Sequence, residues 1–354
     1  MTTVRERLNA AAAKRVLISD GAFGTQIQNR KLVEEDYAGD LGLKADQKGN
    51  NDILALTRPD VIADITRAYF EAGSDIIATN TFSANVISQA DYAAEALVRD
   101  INVESAKIAR ELADIFEAED AKAGIDRPRF VAGAIGPTNK TLSLSPDVED
   151  PGFREIDFDY LTEVYHEQAA ALVEGGADFI LIETIFDTLN AKAGVMAVKQ
   201  LERELGRDVP IMLSMTLTDL SGRNLSGHTV EAFWYAVRHA NPITIGLNCS
   251  FGAEQLRPHI QLLSKIADTL LLAYPNAGLP NELGEYDEAP ATTAALVREW
   301  AENGQVNILG GCCGSSPDHI AAIAKAVEGL SPRQVPSRDT AMQLAGLEPF
   351  TIAA

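Results

Sequence analysis

Residues 71–80 read EAGSDIIATN and residues 174–183 read EGGADFILIE. Each carries the end of a helix, a glycine turn and the start of an apolar strand, so a helix–turn–strand unit recurs about a hundred residues apart. Working outward, further apolar runs fall at 16–20, 75–80, 129–136, 178–183, 210–216, 243–248, 269–274 and 306–310. They are rich in Val, Ile and Leu and mostly lack polar alternation, the pattern of strands buried on both faces. Helix-period stretches separate them, at about 59–72, 96–119, 160–174, 188–205, 229–239, 254–267, 291–302 and 317–328. In the first, Val61, Ile62, Ile65, Ala68, Tyr69 and Ala72 share a face between Pro59 and Gly73, residues suited to a helix start and stop. Eight strands in strict alternation with eight helices predict parallel pairing through right-handed crossovers, and so an α/β fold of the (β/α)8 TIM-barrel type over residues 1–330. An open doubly wound sheet is the alternative, but no GxGxxG follows the first strand.

The composition limits the function. The chain has 354 residues, 46% of them apolar, with 51 acidic against 30 basic side chains and a net charge of −21. Such a surface repels phosphate backbones and anionic lipid heads, which argues against nucleic acid and membrane as partners. No apolar run approaches the roughly 18 residues of a membrane span, and MTTVRERLNAAAAKR lacks the apolar core of a secretory signal. With only three cysteines and no disulfide framework, a reducing, cytoplasmic setting is expected. Residues 26–56 and 138–159 are long polar insertions after strands 1 and 3, expected on the catalytic rim. Residues 331–354 lose the periodicity and read as a linker or strap.

In a barrel of this kind the chemistry sits at the C-terminal ends of the strands. All three cysteines fall there: Cys249 after strand 6, Cys312 and Cys313 after strand 8. Three thiolates converging from two positions suit Zn²⁺, with the glycines of GGCCG letting adjacent sulfurs turn inward. His228 and His319 are candidates for a fourth ligand, but an open position left for substrate is the preferred reading. Zinc with three thiolates has a net charge of about −1 and is a weak Lewis acid. It can instead hold a substrate thiol as a nucleophilic thiolate, so alkyl transfer to sulfur is expected. Asp20 and Glu183, ending strands 1 and 4, suit an ammonium group. The backbone of the Gly21-Ala22 turn up to Thr25, with the Thr81 hydroxyl, suits a carboxylate. A glycosidase-like acid/base pair from Asp20 and Glu183 leaves the cysteines unexplained, and plain loop capping by both carboxylates is the structural alternative.

The segments ISDGAFGTQIQ (18–28), KGNNDILALTRPDVI (48–62), TNTFSAN (79–85), IETIFDTLNAKA (182–193), GLNCSFG (246–252), PNAGLPNELGEYD (275–287) and GGCCGSSPDHI (310–320) occur in this order. Together they resemble the homocysteine-binding modules of the zinc-dependent homocysteine methyltransferases, in particular those of cobalamin-dependent methionine synthases. The resemblance implies a cytoplasmic enzyme of methionine biosynthesis with zinc on Cys249, Cys312 and Cys313. It implies homocysteine on Asp20, Gly21, Ala22, Thr81 and Glu183. The donor it implies is methylcobalamin supplied by a partner domain or protein. Thr184 after Glu183, where the betaine-using branch has a tyrosine, leans away from that branch. LAGLEPFTI (344–352) resembles a connector to a folate-binding domain, so the chain reads as an excised module or a split subunit. The alternatives are a stand-alone enzyme with a sulfonium donor such as S-methylmethionine, and a non-catalytic scaffold.

Overall fold

A computed structural model describes residues 2–352. Eight parallel strands, β1 (Leu17–Ile18), β2 (Ile76–Ala78), β3 (Phe130–Ile135), β4 (Phe179–Ile185), β5 (Ile211–Met215), β6 (Thr244–Gly252), β7 (Leu270–Asn276) and β8 (Ile308–Leu309), follow the ring order β1-β8-β7-β6-β5-β4-β3-β2. The remaining gap is bridged by parallel pairing of Ser19 with Ile76 and by the Asp75 amide donating to the Ile18 carbonyl at 2.6 Å. The sheet thus closes into the expected (β/α)8 barrel. Each strand but the last leads through a helix to the next, and the helix 317–326 follows β8. The repeat that opened the sequence is visible in the backbone: Gly73 and Gly176 both adopt φ +106 between a helix and a strand, a conformation that L side chains disfavour.

Alternate strand residues fill the barrel. Leu17, Ile76, Phe130, Phe179, Leu181, Met212, Leu272 and Ile308 form an interior cluster that also takes in Leu8, Ala11 and Ala12. Those last three belong to helix α1 (Val4–Ala12), a segment the sequence pattern did not mark as helical. Its start is fixed by a capping box, Thr3 and Glu6 each bonding the other's backbone amide. The helix stoppers the barrel end opposite the catalytic rim, so the cavity opens only at the other mouth. The outward strand faces and the helices make the larger core, anchored by Trp234, Trp300, Tyr69 and Tyr165.

Beyond the last helix, Arg333 is buried beneath the barrel, donating to the carbonyls of Ser264, Ala267 and Thr269. Residues Met342–Ala345 and Pro349–Ile352 then form an antiparallel hairpin against the helix 230–237. The absence of local periodicity in 331–354 gave no sign of that hairpin. Among the described residues, no helix is long and apolar enough to cross a membrane.

Candidate active site

Two irregularities at the rim aim the site residues. The β4–β5 register shifts between Ile182 and Ile185, and the β6–β7 register shifts between Asn248 and Gly252. Within these bulges Thr184, Cys249 and Ser250 take φ of 54, 62 and 58. Positive φ costs a non-glycine residue about 1–3 kcal/mol and is kept only where the surroundings insist. For Thr184 the insistence comes from Asn248, which is fully buried. Its Oδ1 accepts from the Thr184 amide (3.1 Å) and the Ser214 hydroxyl (2.7 Å), and its Nδ2 donates to Thr184 Oγ1 (2.8 Å). The same Nδ2 lies 3.9 Å from Cys312 Sγ.

The three cysteines meet. Cys249 and Cys313 Sγ are 3.8 Å apart, and all three sulfurs lie within 4.8 Å of one another. A tetrahedral zinc with bonds of about 2.3 Å needs sulfurs about 3.8 Å apart, so the cluster has the donor chemistry and the spacing of a metal cage. Cys313 accepts hydrogen bonds from Cys249 and Cys312 and is pulled down to about 3. Cys312, bonded to Cys249 and Cys313 and buried, is pushed well above the usual thiol range. Such a cluster holds one negative charge by itself and takes the rest only with a cation.

The glycines beside the pair act differently from the expectation. Gly310 and Gly311 do not adopt positive φ; they allow close approach. A Cβ on Gly311 would sit 2.4 Å from Ser315 Oγ, and one on Gly310 would sit 2.8 Å from the Asp20 carbonyl. Gly314, at φ +80, alone supplies the turn.

Neither candidate histidine joins the sulfurs. His319 is buried, its Nε2 on the Glu288 carbonyl (2.8 Å) and its Nδ1 on Ser316 Oγ (2.9 Å), while His228 is 3.1 Å from Ser226 Oγ. Among the described residues, no fourth His, Cys or carboxylate belongs to the group.

A cavity of about 1230 Å³ opens at the rim and is lined by the residues expected to hold substrate and metal, Asp20, Gly21, Ala22, Thr81, Glu183 and the three cysteines; His319 also lines it and His228 does not. Asp20 accepts from the Ala78 amide (2.8 Å) and Ser19 Oγ (3.2 Å), and burial raises it to about 7. Glu183 accepts from the Tyr274 hydroxyl (3.0 Å) and is raised to about 8, by burial first and then by the charges of Asp20 and Cys313. No arginine or lysine contributes to either. Two expectations shift in detail. The Thr81 hydroxyl is buried and donates to the Ala134 carbonyl (2.8 Å), with Thr79 Oγ1 at 2.6 Å, so barrel closure has claimed it. The Ala22 amide is likewise taken, by Ser315 Oγ at 3.2 Å.

The sequence reading overlooked Tyr274 and Tyr286. Tyr274 occupies a strand end, the very position that marks rim residues, but reads as one more apolar strand residue. Tyr286 comes from the loop after β7 and hydrogen-bonds Cys313; nothing in the local sequence signals it.

A family model described as homocysteine S-methyltransferase matches residues 17–327. The chain belongs to the homocysteine S-methyltransferase family. It is accordingly a methyltransferase, and homocysteine is the substrate of its family. Among solved structures, the metallated form of the homocysteine methyltransferase MmuM from Escherichia coli is 21% identical, with a TM-score of 0.68, covering 90% of this chain and 98% of that one. The oxidized form of the same protein is 20% identical with a TM-score of 0.68, covering 88% and 95%. At this identity the likeness is one of fold. For a homocysteine S-methyltransferase the arrangement is economical, with the sulfur cluster and the carboxylates that suit an amino acid sharing one cavity.

Proposed function

We propose that this chain methylates homocysteine to methionine, with zinc held by Cys249, Cys312 and Cys313. The observation that carries this reading is the convergence of three sulfurs with a buried carboxylate, Asp20, and a half-buried one, Glu183, neither paired with a cation, in one cavity. When bound, zinc would supply the positive centre that keeps the substrate sulfur a thiolate at neutral pH. Asp20 and Glu183 hold the ammonium group, and the backbone of the 21–25 turn takes the carboxylate. That leaves the substrate sulfur directed at the cysteines. Tyr274 fixes Glu183 and Asn248 fixes the strained strand ends, so orientation is established before substrate enters. The sulfur attacks the methyl carbon in line; the new C–S bond forms as the donor–methyl bond breaks, its electron pair leaving with the donor.

The methyl group is carried, on this reading, by methylcobalamin on a partner domain or protein that docks at the open mouth. Residues 331–354 are then a strap and connector, for which the buried Arg333 and the hairpin at the chain's end are the support. The second reading, a small sulfonium donor, is favoured by the surplus of carboxylates in the cavity. An anaerobic absorbance time course tests both. Zinc-dependent demethylation of free methylcobalamin by the chain and homocysteine supports the first. Turnover with S-methylmethionine alone supports the second, and no homocysteine binding in the presence of zinc refutes both.

A further inference from the structure

The repeat that opens the sequence has one more shared part, which the chemistry of the site does not use. EAGSD (71–75) and EGGAD (174–178) both end on an aspartate just ahead of a strand, β2 and β4. The two carboxylates do the same thing. The Asp75 amide donates to the Ile18 carbonyl (2.6 Å), while its Oδ2 accepts from the Ile18 amide (2.8 Å). The Asp178 amide donates to the Val131 carbonyl (2.9 Å), while its Oδ2 accepts from the Val131 amide (2.8 Å). Asn307, just ahead of β8, repeats the pair with Leu271 at 2.9 Å in both directions, its Oδ1 standing in for the carboxylate. Each side chain clasps one residue of the preceding strand, at the floor of the barrel.

What differs is how much each clasp must hold. Beyond it, β3 and β4 pair over four residues and β7 and β8 over two, whereas β1 and β2 share the single Ser19–Ile76 bridge. The next rung towards the rim is again a side chain, Asp20 Oδ2 accepting from the Ala78 amide at 2.8 Å. Carboxylates therefore bracket this seam, Asp75 at the floor and Asp20 at the rim. Asp75 is the firmer anchor. Its side chain is fully buried, bonded to both terminal nitrogens of Arg15 at 2.7 Å and to Arg127 Nε at 2.7 Å. Asp178 has one arginine, Arg110, at 2.9 Å. Where backbone rungs are so few, the place of a strand is set by the side chains that grip it. Freed at Ile18, β1 would hang on β2 from one bridge and from Asp20 itself. Asp20 would then have to fasten its own strand while holding a ligand. Conversely, a ligand that fixes the Asp20 carboxylate fixes the Ala78 rung, so binding and seam closure favour each other equally.

We propose that Asp75 is a positioning residue for the methyl acceptor: by clasping Ile18 it fixes β1 against β2 and so places Asp20 for the substrate ammonium. This rests on the reading above in which homocysteine is the acceptor, and adds to it a residue at the far end of the barrel. Variants of the zinc-loaded full chain separate it from a general loss of stability. Asp75→Ala and Asp75→Asn both lose the charge that faces Arg15 and Arg127, so both should melt lower. Only Asp75→Ala loses the acceptor for Ile18, since an amide oxygen does that work at Asn307. Titration calorimetry should show homocysteine bound about 10-fold more weakly by Asp75→Ala, but within about threefold of wild type by Asp75→Asn. Asp178→Ala, the matched loss at a seam with a longer ladder, should melt lower and still bind homocysteine within about threefold of wild type. Zinc content should be unchanged in every variant. In the wild type, homocysteine should slow hydrogen exchange of the Ile18 amide about threefold or more, and that of the Val131 amide less.

Equal affinity losses in Asp75→Ala and Asp75→Asn, an equal loss in Asp178→Ala, or no loss in Asp75→Ala overturn the assignment. Unchanged exchange at Ile18 on homocysteine binding also overturns it, and decides the matter should Asp75→Ala fail to fold. A wild-type chain that binds no homocysteine sinks the acceptor reading itself, and the role of Asp75 with it.

Discussion

Asn248→Ala is the substitution by which the rim geometry is most exposed to test. The side chain joins four strands' worth of chemistry: it holds the Thr184 amide and hydroxyl on β4, the Ser214 hydroxyl on β5, and lies against Cys312 beyond β8. Truncation strands the Thr184 amide and the Ser214 hydroxyl away from solvent, at about 1–3 kcal/mol each, for a total of about 2–6 kcal/mol. A protein of this length loses about 0.7 kcal/mol of stability per kelvin near its melting point, so scanning calorimetry should record a fall of about 3–9 °C. Function should suffer separately. Thr184, released from its positive φ, relaxes and carries Glu183 with it. Homocysteine then loses a charge-assisted hydrogen bond, and its affinity falls about 10- to 100-fold by titration calorimetry. Adding Ser214→Ala removes one stranded donor and should recover about 1 kcal/mol of stability without restoring affinity. A variant that melts within 1 °C of wild type and binds homocysteine normally would refute the role given to Asn248.

Cys312→Ala should lose bound zinc and turnover together while keeping the barrel's circular dichroism, since the side chain lies on the rim and outside the main core; metal analysis and melting check this. Homocysteine affinity should rise between about pH 6 and 8.5, because Asp20 (about 7) and Glu183 (about 8) must ionise to hold an ammonium group. Glu183→Gln should flatten the upper part of that profile, read by calorimetry at several pH values. Stability of the ligand-free chain should move the opposite way. Both carboxyls hold their protons to higher pH when folded than when unfolded, near 4, so the folded state binds more protons across that window. Stability therefore declines from about pH 4 and levels off above about pH 8. The double variant Asp20→Asn, Glu183→Gln should lack that part of the decline in urea titrations at pH 5 and pH 8.

The barrel was legible because its strands are buried on both faces and leave long apolar runs, while its helices carry one apolar face each; both signals are local. Strand ends then pointed to the cysteines and carboxylates with no further information. The missing parts are those whose meaning is only tertiary. Leu8, Ala11 and Ala12 look unremarkable until the barrel they stopper is present. Tyr274 reads as apolar strand until its hydroxyl meets Glu183. Asn248 was a rim position by its place in the strand, but its partners come from neighbouring strands. Of the glycines of GGCCG, Gly314 supplies the expected turn, whereas Gly310 and Gly311 are needed to avoid collision with Asp20 and Ser315, which no local pattern reveals.

The ring of strands is stitched unevenly. β1 and β8 pair over two residues each, whereas β6 extends over nine. Local opening is cheapest where the fewest ladder bonds must break, so the weakest seam is β1–β2, held by the single Ser19–Ile76 bridge, with the two-residue β1–β8 ladder beside it beneath Cys312 and Cys313, while Cys249 belongs to the longest strand. One jaw of the sulfur clamp is therefore compliant and the other fixed. On the zinc reading proposed above, metal capture is then a gated event, its rate set by how often the seam yields. Once all three sulfurs share an ion, the ligand acts as a rivet across the join, coupling the last βα unit mechanically to the body of the barrel.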